Sequence, residues 1–174
     1  QASAAQIAIA RSESPLERQT RATNFILGEV RKLSGRDIQT FEQLPAFLIE
    51  NPHHDQSVCA IVRASGYLDF WKEDVLRNPW RYDAAEFGNL PMPPRERERA
   101  ALRELPAAEQ QLKQFTMMYG QYMALWQQVK LSYFATELQL YLALIDITKR
   151  RVEAARQVIA GSTSSCGDAP PQDS

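Results

Sequence analysis

From Pro106 to Gly161 the chain holds no internal proline and one internal glycine, Gly120, in a background of Ala, Leu, Gln, Glu, Met, Lys and Arg. Local propensity therefore favours a single helix over residues 107–160. At a rise of about 1.5 Å per residue it would be on the order of 80 Å long, more than a compact domain of this size needs across its core. Such a helix must bend, break or project, and the other segments are read by how they pack on it.

Within this stretch Leu112, Phe115, Tyr119, Tyr122, Trp126, Val129 and Tyr133 recur at alternating spacings of three and four, which keeps them on one seam of a helix. From Phe134 a second stripe runs through Leu138, Tyr141, Leu142 and Ile145. A helix apolar on most of its circumference has to be surrounded, by its own chain or by another. The preceding segments are short, so part of the helix is expected to project and be covered by a second copy or a different protein. Tyr119, Tyr122 and Trp126 are candidate anchors for that contact. Gly161 ends the pattern, and residues 162–174 form a polar tail unable to build a core.

Upstream, Ser14-Pro15-Leu16-Glu17 forms a capping box that starts a helix, and Ser34-Gly35 stops it. Thr40-Phe41-Glu42-Gln43 opens a short helix bracketed by Pro45 and Pro52. His53 and His54 then make a solvent-facing turn whose Asp55 caps the next helix. That region, from Val58 to Leu76, has a weak point at Ser65-Gly66. Its run SVCAIV alone fits a buried strand, but no second segment is present to pair with it.

Asn78-Pro79 opens a loop, NPWRYDAAEFGNLPMPP, unusually rich in apolar bulk: Trp80, Tyr82, Phe87, Leu90 and Met92. These side chains either fold back on the bundle or serve as partner anchors, a role that suits Trp80, Tyr82, Phe87 and Met92. RERERAALREL follows as a charged helix, with Pro106 separating it from the long stretch or kinking it. The fold class is all-α: an irregular helical bundle organised around one long C-terminal helix, with a Pro- and aromatic-rich loop. Residues 1–161 are expected to form a single helical domain.

Composition narrows the function. The net charge of −1 gives no overall pull toward nucleic acid, although Arg18, Arg21, Arg31, Lys32 and Arg36 make the first helix locally basic. No apolar run is long enough to span a membrane. The two histidines are adjacent and lack the spacing of a metal site, and neither a nucleophile elbow nor a phosphate-binding glycine loop is present. Hence no catalytic, cofactor or metal residue is assigned. Glu137 and Asp146 interrupt the apolar stretch, but nine residues apart they fall on nearly opposite helix faces and cannot act as a carboxylate pair. Lys130 lies one turn from Trp126, where its stem can cover the ring.

The opening QASAAQ resembles the small-residue start of an exported chain. The two cysteines, Cys59 and Cys166, either form a disulfide in an oxidising compartment or stay unpaired, with Cys59 buried as a small hydrophobe. The expected function is a non-enzymatic interaction or structural subunit of an exported bacterial envelope, secretion or surface assembly, in the periplasm or secreted. The alternatives are a cytoplasmic adaptor whose basic first helix touches nucleic acid, and an enzyme with a site near Glu137.

Overall fold

The computed structural model describes the chain from Pro15 to Asp168; Ser14 of the expected capping box lies outside the described residues. Among the described residues seven α-helices follow one another: α1 (Pro15–Ser34), α2 (Gln43–Glu50), α3 (Asp55–Ala64), α4 (Tyr67–Arg77), α5 (Ala84–Gly88), α6 (Pro94–Gln128) and α7 (Ser132–Asp168). Short 3-10 turns cover Pro52–His54 and Pro79–Arg81. There is no strand among the described residues, so the all-α expectation holds and the ambiguous run SVCAIV belongs to α3.

The long stretch is not one helix. It is broken at residues 129–131, and the C-terminal helix, α7, is 37 residues long because it runs through Gly161, the expected end of the helix, to Asp168. Pro106 does not separate the charged segment either, because α6 runs through it as a 35-residue helix. Pro106 and Leu102 are both exposed. The Leu102 carbonyl, which loses its helical partner to the proline, therefore lies where water is available.

The described residues form two compact units. Unit 1 takes the chain up to Trp71 together with Tyr119–Leu140, and unit 2 takes Lys72–Met118 together with the chain from Tyr141 onward. The division falls inside both long helices.

In unit 1, α1 buries Ala22, Ile26, Leu27 and Val30, a spacing of about one turn that puts all four on one face. Leu44, Phe47 and Leu48 of α2 and Val58, Cys59 and Val62 of α3 supply the same kind of stripe. Between α3 and α4 the chain turns at Ser65-Gly66, where Gly66 has φ +67°. The Arg18 guanidinium holds this turn, donating to the Ser65 carbonyl at 2.6 Å and lying 5.9 Å from the centre of the Phe70 ring. A Cβ on Gly66 would lie 2.9 Å from Arg18 Nη2. Gly35 has nearly the same φ, +66°, with nothing near its Cβ position. Gly35→Ala should therefore cost about 1–2 kcal/mol of backbone strain alone. Gly66→Ala should cost more in thermal denaturation, the excess measuring displacement of Arg18.

In unit 2, Phe87, Ala101 and Ala155 form a buried cluster with Trp80, Leu90, Leu105, Val158 and Ile159 packed around it. Phe115 of α6 meets Tyr141 of α7, ring centres 6.0 Å apart, and Glu104 pairs with Arg151. Later residues of one helix thus face earlier residues of the other, as in an antiparallel pair. Alanines at the contact, Ala101, Ala108 and Ala155, are fully buried and let the helices approach closely.

Candidate functional site

The break at residues 129–131 contains neither glycine nor proline, so side chains must make it. On the α6 side Lys130 Nζ donates to the Trp126 carbonyl at 2.8 Å, satisfying a group that the helix end leaves open, and sits 5.0 Å from the centre of the Trp126 ring. On the α7 side the partner comes from α3. Asp55 Oδ2 accepts from the Ser132 amide at 2.7 Å and Oδ1 from the Tyr133 amide at 2.8 Å. A carboxylate at the first amides of a helix satisfies orphan donors and meets the positive end of the helix dipole.

This corrects the reading of the His53–Asp55 turn. Asp55 is buried and caps α7, not the helix that it begins, which has no side-chain cap at His54. His53 is exposed, while the His54 ring stacks on Phe47 at 5.6 Å. Gln56 adds a second tie, its Nε2 lying 3.0 Å from Ser132 Oγ.

One turn into α7 lies a group of buried polar side chains. The Tyr122 and Tyr133 hydroxyls are hydrogen-bonded at 2.8 Å, with their rings edge to face at 5.7 Å. Glu137, 3% exposed, follows Tyr133 by four residues and so shares its face. Burial pushes its carboxyl group up from an ordinary 4.5 to about 8. Cys59 is fully buried, and Thr136 Oγ1 donates to its Sγ at 3.6 Å. Burial, with Asp55 and Glu137 adding to it, raises the Cys59 thiol. The Tyr122 hydroxyl is likewise raised, first by burial and then by the nearby Glu137. A thiol held protonated in this way is a poor nucleophile.

In unit 2 the aromatic loop folds onto its own helices. Asp74 organises it, accepting from Asn78 Nδ2 at 2.8 Å, from Arg81 Nη1 at 3.1 Å and from the Tyr82 hydroxyl. Tyr82 is buried beneath the Arg150 guanidinium, 6.0 Å from its ring centre, and its hydroxyl is held above its usual range by burial and then by the Asp74 bond. Asp83 caps α5 through the Ala85 amide at 2.8 Å, which aims Phe87 inward against the edge of Trp80.

Of the anchors expected from sequence, Tyr82, Phe87 and Tyr122 are buried, and Trp80, Met92, Tyr119 and Trp126 are half-buried. Cys59 is free; the Cys166 side chain of the expected disulfide lies outside the described residues. Several charges of the basic first helix are engaged locally: Arg31 donates to the Ile38 carbonyl and Lys32 pairs with Glu29. Asp146 is exposed and Glu137 is not, in keeping with their opposite faces.

Four further exposed residues are not among the anchors expected from sequence. Leu76 is 81% exposed, and Leu102, Met117 and Leu142 are each about half exposed, all in unit 2. Unit 2 also has a surface cavity of about 560 Å³ whose lining includes Arg95, Arg97, Glu98, Gln157 and Val158. Among the described residues no group of three or more His, Cys, Asp or Glu side chains is placed to hold a metal ion, and no helix is long and apolar enough to cross a membrane. Compared with models of protein families, with curated proteins and with solved structures, the chain matches none.

Proposed function

We propose that the protein is a non-enzymatic interaction module, a helical subunit that docks on another protein or on a second copy of itself. The observation that carries this reading is the exposure of Leu76, Leu102, Met117 and Leu142 on the helices of unit 2. A contiguous apolar patch on a helical surface marks a docking contact, and these four side chains are offered as the material of one. The aromatic seam itself is largely buried, at Phe115 in unit 2 and at Tyr122 and Tyr133 in unit 1, so docking falls to these aliphatic positions.

The test places a photo-crosslinking residue at Leu102, Met117 or Leu142 in the protein expressed in its native cell, with exposed Glu153 as the control position. The reading predicts one discrete adduct, homomeric or heteromeric, from the apolar positions and none from Glu153. The adduct should disappear in a Leu102→Glu, Met117→Glu, Leu142→Glu variant whose thermal melt is unchanged. Equal, diffuse labelling at all four positions would contradict the reading. Intact mass with and without reduction places the assembly, since a Cys59 to Cys166 bridge belongs to an oxidising compartment and two free thiols to the cytosol.

A further inference from the structure

The polar group at the start of α7 has a consequence separate from docking. Glu137 is enclosed by unit 1, on the face of α7 that carries Tyr133 and beside Phe134, both fully buried. The groups that share this space are the Tyr122 and Tyr133 hydroxyls, the Cys59 thiol and the Asp55 carboxylate, with Glu42 acting on Tyr122 from the start of α2. The two carboxylates among them, Asp55 and Glu42, are like charges for an ionised Glu137. Among the described residues the cation that acts in the group is Arg63, which is exposed and acts on Cys59.

We propose that unit 1 carries a proton-controlled latch: the first turns of α7 stay seated against α3 and the 119–128 end of α6 while Glu137 holds its proton, and losing that proton shifts them toward an unseated form. A neutral carboxyl group among aromatic rings and a thiol is buried at modest cost. An ionised one in the same place is 3% exposed and has no ion pair among the described residues, and lifting this segment is the way to hydrate it fully. The bonds that would yield are those already described, from the Ser132 and Tyr133 amides to Asp55 and between the two tyrosine hydroxyls. Opening would expose Tyr133 and Phe134, an aromatic surface absent from the seated form.

The direction in pH follows from the raised carboxyl. In water Glu137 ionises near 4.5, whereas in the seated form it retains its proton up to about 8. Between those values the seated form holds one proton more than the open form, so stability is full below the lower value and falls as pH rises through the upper one. The opening constant should rise about tenfold per pH unit across that window and level off above it.

The experiment is a titration of the full chain labelled with carbon-13 at its glutamate carboxyl groups, together with urea unfolding midpoints at a series of pH values for the wild type and Glu137→Gln. The glutamine keeps the size and polarity of the side chain and removes its ionisation. The latch predicts a carboxyl resonance, absent in the variant, that titrates near 8, a wild-type midpoint that falls from about pH 5 to about pH 8, and a clearly smaller fall in the variant. A Glu137 resonance titrating in the ordinary carboxylate range would overturn it, as would an unchanged slope in the variant. If the variant fails to fold, the wild-type titration alone decides.

Discussion

Asp55→Ala should lower the stability of unit 1 by about 3 kcal/mol, because it removes two charge-assisted hydrogen bonds at a helix start and leaves the Ser132 and Tyr133 amides without their partner. Burial sets the size of the effect. A surface cap can be replaced by water, but Asp55 is 7% exposed and the Tyr133 bond is buried. Asp55→Asn retains one acceptor oxygen and should lose roughly half as much. His53→Ala, two residues away and exposed, should stay within about 0.5 kcal/mol. Urea denaturation of the three variants checks the order. Equal losses for His53→Ala and Asp55→Ala would mean that the turn as a whole, and not the carboxylate, holds α7.

Phe87→Ala should be the most damaging change in unit 2, at about 3–5 kcal/mol. Phe87 is fully buried, lies edge-on to Trp80 and sits at the centre of the cluster with Ala101 and Ala155. Nothing small enough to fill its space is nearby, since its closest buried partners are alanines on two long helices that are already packed. Trp80→Ala removes a larger ring that is only partly buried and should cost less. Leu76→Ala, at a side chain 81% exposed, should cost almost nothing. This series separates the two roles open to the aromatic loop. A loop that packs the unit gives the order Phe87, then Trp80, then Leu76 in thermal melts, whereas a loop held free for a partner gives three small losses.

Much of the architecture was legible from local signals. The helix stops at Ser34-Gly35 and Asn78-Pro79, the short helix between Pro45 and Pro52 and the weak point at Ser65-Gly66 are written in residues whose backbone preferences are strong. The structure places an interruption at Ser34-Gly35, Pro52, Ser65-Gly66 and Asn78-Pro79, whereas Pro45 lies within the first turn of α2. The break at residues 129–131 was not legible, because Val129, Lys130 and Leu131 are all acceptable in a helix and the decisive group, Asp55, is remote in sequence. Pro106 left two readings open, a separator or a kink within one longer helix, and the structure has one helix running through it. A residue that ordinarily ends helices lies within one, its missing hydrogen bond facing solvent. Sequence spacing did find the seam that the break folds up, but it could not say which chain would cover it.

For the candidate sites, spacing correctly put Glu137 and Asp146 on different faces and singled out Glu137 as an acid in an apolar stretch. Its enclosure together with Cys59, Tyr122 and Asp55 depends on α3 meeting the helix ends at the break, which no periodicity encodes. The exposed leucines were missed for a related reason. Leu102 and Leu142 continue apolar patterns, and only packing shows which members of a stripe are left outside.

Burial of the aromatic seam within this chain depends on the broken helix. Were residues 107–160 continuous, Tyr122 and Tyr133 would lie about 16 Å apart along the axis, and the aromatic seam would need another chain to cover it. The direct measurement is nuclear Overhauser contact between the Tyr122 ring and the Tyr133 and Phe134 rings in the full-length protein. Cross-peaks between them, with helical backbone contacts interrupted at residues 129–131, are the predicted result. Unbroken helical contacts through 129–131 with no ring-to-ring peaks would contradict it, and would return the seam to the list of surfaces that a partner must cover.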